Sequence, residues 1–94
     1  MKVGIINYGI GNLGSVYRAL EDLNVRPYFI KDPQDIINCD ALILPGVGNF
    51  TKCKLLLDSN EWTSYIKESV LIKRRYILGI CLGMQLLADY GYEG

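Results

Sequence analysis

A cysteine placed between two glycines is the feature of this sequence with the clearest chemical meaning. Cys81 follows the short apolar segment Tyr76–Ile80, and Gly79 and Gly83 lie two positions before and after it. A strand that turns directly into a helix at such a residue is the nucleophile-elbow pattern, with sulfur in place of a serine oxygen. The helix start favours thiolate over thiol, and the backbone N–H of Leu82 faces the place where an oxyanion would form. The pattern predicts a thiol nucleophile at Cys81.

The surroundings of this thiol leave two interpretations open. The sequence contains no histidine, and a cysteine nucleophile usually needs a histidine base. Either Cys81 is a buried structural cysteine, as most free cysteines are, or its base lies outside these residues. Cys39 and Cys53 have neither flanking glycines nor a helix start after them, so they are predicted to be structural. Their spacing predicts neither a disulfide framework nor a metal site.

A second glycine segment is expected to face the elbow. Pro45-Gly46-Val47-Gly48 follows the strand predicted at Ala41–Leu44, and the carboxyl ends of parallel strands meet at one edge of a sheet. Glycines in such a loop allow a backbone N–H to turn toward a substrate carbonyl and to complete an oxyanion hole with Leu82.

A third glycine segment supports a competing interpretation. Residues Gly9 to Gly14 form a literal G-x-G-x-x-G between a predicted strand and a predicted helix, and Asp32 lies near the position of a ribose-binding acid. This pattern predicts a Rossmann-like dinucleotide-binding module. It explains neither the elbow nor the Pro45 loop, and it stays the minor alternative.

Strands that alternate with helices predict a layered α/β fold with a mostly parallel sheet. The apolar runs and their spacing predict four strands and four helices. The strands are Val3–Asn7, Tyr28–Ile30, Ala41–Leu44 and Tyr76–Ile80; the helices start at Asn12, at Phe50, after a cap at Ser59 or Asn60, and at Leu82.

Four finer features are also predicted from local patterns. Asn24 is expected to end the first helix in the left-handed region, and the residues around Pro33 are expected to form a turn. The third helix is expected to turn Trp62, Ile66 and Val70 toward the core. The cations at positions 73–75 are expected to be a solvated helix end.

The composition excludes several classes of function. Half of the residues are hydrophobic and 21% are charged, which is typical of a globular protein. Ten basic and ten acidic residues give zero formal net charge, so neither nucleic acid nor a membrane surface is an expected partner. The start of the chain resembles neither a signal peptide nor a spanning helix, which predicts a cytoplasmic protein. No cofactor or metal is predicted.

The residues described above also carry a family resemblance. The runs INYGIGNLGSV, PGVGNF and GICLGMQLL resemble the glutaminase subunit of imidazole glycerol phosphate synthase, in the class I glutamine amidotransferase family. The resemblance implies a three-layer, flavodoxin-like fold, with residues 1–94 as the N-terminal part of a single domain. It implies hydrolysis of L-glutamine to glutamate and ammonia, and a cyclase (β/α)8-barrel partner that uses the ammonia in histidine biosynthesis.

The resemblance also implies a role for each of six residues, and it implies that two residues of the catalytic triad are not among these 94. Cys81 corresponds to the nucleophile that forms a thioester, and Val47 and Leu82 correspond to the oxyanion donors. Gly48 and Gln85 correspond to positions in the glutamine pocket, and Asn12 corresponds to a position at the partner interface. The histidine and glutamate of the family's triad lie downstream of the elbow, so the 94 residues alone are expected to be inactive and to leave apolar faces uncovered. A related enzyme that supplies ammonia to another synthase, such as one amidinating surface sugars, is a further alternative.

Overall fold

The computed structural model describes residues 2–9, 13–46, 49–81, 83 and 86–87, with the backbone alone for Cys81. These residues form one parallel sheet with the strand order β2-β1-β3-β4 and helices on both faces. The order is that of a flavodoxin-like sheet, so the predicted α/β class is confirmed. The elements are β1 (Val3–Ile6), α1 (Gly14–Asp22), β2 (Pro27–Ile30), a 3₁₀ helix (Pro33–Asn38), β3 (Ala41–Gly46), α2 (Phe50–Ser59), α3 (Trp62–Lys67), a π-helical turn (Glu68–Ile72) and β4 (Tyr76–Cys81).

The sheet separates two apolar cores. All four residues of β1 are buried, as expected of a strand covered on both faces. On one face Val3, Ile5 and Ile43 pack against the apolar side of α1. The other face is larger and is covered by α2 and α3; its core includes Ile6, Leu42, Leu44, Leu57, Trp62 and Ile66. No helix in the described part of the chain is long and apolar enough to cross a membrane.

β3 is longer than the sequence predicts. Its end was expected at Leu44, but the strand runs through Pro45 and Gly46, and Gly46 pairs with Cys81 of β4. Pairing between β1 and β3 stops at Ile43, so beyond that residue β3 has a strand neighbour on the β4 side. A proline is tolerated in a strand where one side needs no ladder donor. The predicted end of β3 was therefore wrong by two residues. The two additional strand residues bring Gly46 beside Cys81.

The connections on either side of β2 contain one confirmed and one corrected prediction. Asn24 has φ 61°, so the left-handed end of α1 is confirmed. The residues after β2 form a 3₁₀ helix rather than a simple turn, with Pro33 in its first turn. Proline has its φ preset for a first helical turn, and Ile36 is fully buried beneath the sheet edge. This buried isoleucine favours helix over open turn.

The start of α3 differs from the predicted one. Neither Ser59 nor Asn60 caps it: Ser59 is the last residue of α2 and Asn60 its C-cap. α3 instead follows Glu61, which has φ 65° and makes no side-chain capping bond. The predicted burial of Trp62 and Ile66 is confirmed. The connection between the helices therefore depends on a left-handed non-glycine residue rather than on a capping side chain.

The π-helical turn places a polar residue beside the core. A π turn inserts an additional residue into the helix and rotates the residues that follow it. Val70 is partly buried and packs against the core, as predicted, and its neighbour Ser69 is only 3% exposed. The hydroxyl oxygen of Ser69 has no hydrogen-bond partner among the described residues. A buried hydroxyl without a partner destabilises the folded state.

Ser69→Ala is expected to raise the free energy of unfolding by about 1 kcal/mol, because it removes the unsatisfied hydroxyl and keeps the buried methylene carbon. Urea unfolding of the wild type and the variant measures the difference. Ser64→Ala is the matched control: Ser64 lies on the exposed side of α3, and its replacement is expected to change stability by less than about 0.5 kcal/mol. A loss of stability in Ser69→Ala would contradict the prediction.

The cationic run before β4 is not simply a solvated helix end. Lys73 and Arg74 are exposed, but Arg75 is partly buried. Its guanidinium Nη1 donates to the carbonyl oxygens of Cys39 and, at 3.3 Å, of Ile37. The prediction was wrong for Arg75, which joins the end of the 3₁₀ helix to the start of β4. A guanidinium can satisfy two carbonyls at once because its donors form a planar fork.

β4 is an edge strand in the described sheet, and its α1-side face is open to solvent. The side chains of Tyr76 and Leu78 are 78% and 59% exposed. Leu23, at the end of α1, is exposed beside them. The expected exposure of apolar faces is confirmed for these described residues, and such exposed apolar surface at a sheet edge favours association with other chains.

Candidate functional site

The carboxyl ends of β1, β3 and β4 meet at one edge of the sheet. Gly46, in the Pro45 loop, lies directly opposite Cys81 in the parallel register of β3 and β4. The two glycine segments that the sequence predicted to face each other are therefore neighbours through backbone pairing. A register partner in an adjacent strand lies about 5 Å away, which is the distance scale of a nucleophile and its oxyanion donors.

Gly83 has the tight packing that an elbow requires. A Cβ atom at Gly83 would overlap the carbonyl oxygen of Leu44 and lie 3.0 Å from its carbonyl carbon. Real Cβ atoms do not approach backbone so closely, so only glycine allows the chain after Cys81 to turn against β3. The glycine at this position of the elbow pattern is therefore required by a collision with neighbouring backbone.

The chain beyond the elbow is anchored in the larger core. Gly83, Leu86 and Leu87 have helical backbone, and both leucine side chains are buried in the core that also contains Leu44 and Tyr8. This agrees with the helix predicted to start at Leu82, although most of that helix lies outside the described residues. Burying each of these two leucine side chains, rather than leaving it exposed, stabilises the folded turn by about 1.5–3 kcal/mol.

Both ends of the Pro45 loop are held by side-chain hydrogen bonds. Before the loop, the hydroxyl of Tyr8 donates to the carbonyl oxygen of Pro45 at 2.6 Å in a buried contact. After it, Asn49 is the N-cap of α2, and its Oδ1 accepts from the backbone N–H of Lys52 at 3.0 Å. Sequence reasoning missed both residues. A capping asparagine before a helix was a readable signal, whereas a contact between Tyr8 and Pro45 needed the tertiary structure.

Most of the positions assigned from the family resemblance fall outside the described residues. They are Asn12, Val47, Gly48, Leu82 and Gln85. For Cys81 the structure places the backbone at the end of β4. Their roles in the oxyanion hole, the glutamine pocket and the partner interface stay predictions.

The other two cysteines are structural, as predicted. Cys39 and Cys53 are not joined in a disulfide, and each has about 1% of its surface exposed. Burial raises the pKa of the Cys39 thiol, and the charges of Lys2 and Arg75 oppose this shift only in part. A buried thiol with a raised pKa presents little thiolate to a reagent near neutral pH.

The G-x-G-x-x-G segment is only partly described, and its first glycine has a local explanation. Gly9 has φ 100°, a conformation that L-residues with side chains rarely adopt. The turn after β1 therefore requires glycine there without any bound phosphate. Asp32 is exposed and leads into the 3₁₀ helix. Residues 10–12 lie outside the described part of the chain, so the dinucleotide alternative gains no support.

The four-stranded parallel sheet with helices, in which Cys81 ends β4 opposite Gly46 of β3, is compatible with an incomplete class I glutamine amidotransferase fold. The model of the SNO glutamine amidotransferase family matches residues 10–91. The chain belongs to this family.

Comparison with curated proteins identifies more specific relatives within this class of enzyme. The chain is 42% identical over 92 residues to imidazole glycerol phosphate synthase subunit HisH 1 of Campylobacter jejuni, covering 98% of the chain and 46% of that protein. It is 46% identical to subunit HisH of Methanopyrus kandleri, covering 99% of the chain and 46% of that protein. It is 47% identical to subunit HisH 1 of Prochlorococcus marinus, covering 96% of the chain and 42% of that protein. The chain thus spans less than half the length of these relatives.

Proposed function

We propose that Cys81 is the nucleophile of a glutamine amidotransferase that hydrolyses glutamine to glutamate and ammonia. The observation that carries the proposal is the register of β3 and β4, in which Gly46 lies opposite Cys81. The tight packing of Gly83 against Leu44 supports it, because this contact fixes the turn that follows the cysteine. Family membership supports it independently.

The reaction follows thiol acyl-transfer chemistry. The Cys81 thiolate attacks the side-chain amide carbon of glutamine, a C–S bond forms, and the carbonyl electron pair moves to oxygen. The N–H groups of Leu82 and Val47 stabilise that oxyanion. When the intermediate collapses, the C–N bond breaks and the nitrogen takes a proton from the general acid, so ammonia leaves. Water then attacks the thioester, gives a proton to the base, and releases glutamate and the thiolate.

The proton donor and acceptor must come from outside these residues. The 94-residue sequence contains no histidine, and a helix start lowers a thiol pKa without moving protons during the reaction. A general base contributes about 10²- to 10⁴-fold to such a step. The 94-residue chain alone is therefore proposed to be inactive as a glutaminase.

The ammonia is proposed to pass to a synthase partner. The relatives are named as subunits of imidazole glycerol phosphate synthase, so the proposed acceptor is the cyclase barrel of that synthase in cytoplasmic histidine biosynthesis. Asn12, in the loop after β1, is the proposed contact on this chain. Gly48 and Gln85 are proposed to line the glutamine pocket.

A glutamine-mimicking chloroketone tests the proposal, because it alkylates a nucleophilic thiol that has a glutamine pocket beside it. The protein is incubated with the reagent in complex with the synthase partner, and the modified cysteine is identified by peptide mass spectrometry. Wild type and Cys39→Ser are expected to take up one label at Cys81, and Cys81→Ser none. Cys39 is the matched control because it is buried and has a raised pKa.

Two results would overturn the assignment. One is full labelling of Cys81→Ser, which would place the reactive thiol elsewhere. The other is loss of labelling in Cys39→Ser together with its retention in Cys81→Ser. Protection by millimolar glutamine, but not by norvaline, an analogue of glutamine without the side-chain amide, is expected in addition, because the amide is the group that reacts.

A further inference from the structure

We propose that Tyr8 is a positioning residue for the Pro45–Gly46 peptide, which directly precedes the proposed oxyanion donor Val47 in the sequence. The inference rests on the proposed function, and it adds a residue from a third strand end to the site. Tyr8 follows β1, is 3% exposed, and donates its hydroxyl proton to the carbonyl oxygen of Pro45 at 2.6 Å. A hydrogen bond of this length between neutral groups is at the short end of the O–H···O range.

Tyr8 continues the link between β1 and β3 beyond the backbone ladder. The paired residues of these strands end at Ile5 and Ile43, two residues before Pro45. Proline has no N–H to anchor its own position in the sheet. The tyrosine hydroxyl supplies a donor at the place where the backbone pairing on the β1 side has ended.

Holding one carbonyl oxygen fixes a whole peptide unit. A peptide group is planar, and no cis bond occurs in the described residues, so the N–H of Gly46 points opposite to the carbonyl of Pro45. The hydroxyl of Tyr8 therefore sets the plane of the Pro45–Gly46 peptide. That plane fixes the backbone N–H of Gly46, the residue that lies opposite Cys81 in the strand register.

The same short segment is held from the other side by the elbow. Gly83 packs against the carbonyl of Leu44, and Cys81 pairs with Gly46. Residues 44–46 therefore lie between the Tyr8 hydroxyl on the β1 side and the elbow on the β4 side. A shift of this segment displaces Gly46 relative to the backbone of Cys81, and transition-state stabilisation is sensitive to displacements of this kind.

Tyr8→Phe tests this role, because it removes the hydroxyl and keeps the buried ring. The wild type and the variant, each extended by the segment that supplies the general base and each in complex with the synthase partner, are compared for glutamate release across a range of glutamine concentrations. kcat is expected to fall about tenfold, with KM changed by less than about twofold, since the hydroxyl affects oxyanion stabilisation more than ground-state binding. Thermal unfolding is recorded for both.

Tyr17→Phe is the matched control. It makes the same chemical change on the opposite face of the sheet, where Tyr17 stacks on Phe29 with ring centroids 5.3 Å apart. Its kcat is expected to stay within about twofold of wild type.

The possible outcomes separate the two proposals. A wild-type complex that releases no glutamate overturns the proposed function and the role of Tyr8 with it. An active wild type with an equally active Tyr8→Phe overturns the role of Tyr8 alone. So does a rise in KM at unchanged kcat, or an equal loss in Tyr17→Phe. A fall in kcat confined to Tyr8→Phe, at temperatures where the variant is fully folded, supports the inference.

Discussion

Cys81→Ala is expected to lower glutamine hydrolysis by at least about a thousandfold, because no other thiol of the chain is placed to form the thioester. Cys39 and Cys53 are both buried, and Cys39 lies just before the amino end of β3, whereas Cys81 lies at the carboxyl end of β4. The measurement is glutamate release by the protein extended by the segment that supplies the general base, in complex with the synthase partner. Synthesis from added ammonia is expected to continue in the variant, because that route does not use the cysteine.

The control for this loss is Cys53→Ala. It removes a thiol of similar size from α2, where Cys53 is about 1% exposed. It is expected to lower the melting temperature by a few degrees through the small cavity that it leaves, and to keep turnover within about twofold of wild type. Comparable turnover in Cys81→Ala would show that the reaction does not pass through this residue.

The elbow could be predicted from sequence because its requirements are local. A strand, a cysteine and a helix start within a few residues need glycines at fixed positions, so the spacing of Gly79, Cys81 and Gly83 carries the information. The apolar runs identified the four strands for the same reason, since each is short, β-branched or aromatic, and bounded by turn residues. The family resemblance added roles that no spacing supplies.

The support around the site could not be predicted, because it depends on residues far apart in the chain. Tyr8 and Pro45 are 37 positions apart, and nothing near either residue indicates the contact. The bond between Arg75 and the carbonyl of Cys39 spans 36 positions. In both cases a polar group is satisfied by a strand or helix end that only the folded sheet brings close.

Other differences arose where tertiary packing outweighed local preference. Pro45 was expected to stop β3, but pairing with β4 continues through it. Ser59 was a better capping residue than Glu61, yet the chain starts α3 after Glu61 in a left-handed conformation. Burial of Trp62 offers a reason: a large apolar side chain placed in the core stabilises a start that capping alone would not favour.

Gly83→Ala is expected to have the largest effect on the fold of any single methyl added to the described part of the chain. The new Cβ would overlap the carbonyl oxygen of Leu44, and backbone atoms on both sides limit the relaxation. The free energy of unfolding is expected to fall by about 3 kcal/mol, a large share of the 5–15 kcal/mol typical of a domain. Urea unfolding of the protein in the absence of its partner measures this loss.

Turnover in Gly83→Ala is expected to fall further than the loss of folded protein explains, because the methyl group forces Leu44 and the Pro45 loop away from Cys81. Glutamate release is therefore measured under conditions where the variant is fully folded. Gly14→Ala is the matched control: Gly14 starts α1 on the other face of the sheet, and alanine at a helical position is neutral or stabilising by up to about 1 kcal/mol. The contrary result is that Gly83→Ala unfolds at the same urea concentration as Gly14→Ala and keeps its turnover. In that case the elbow does not need the close approach of Gly83 to β3, and the register of β3 and β4 has no significance for catalysis.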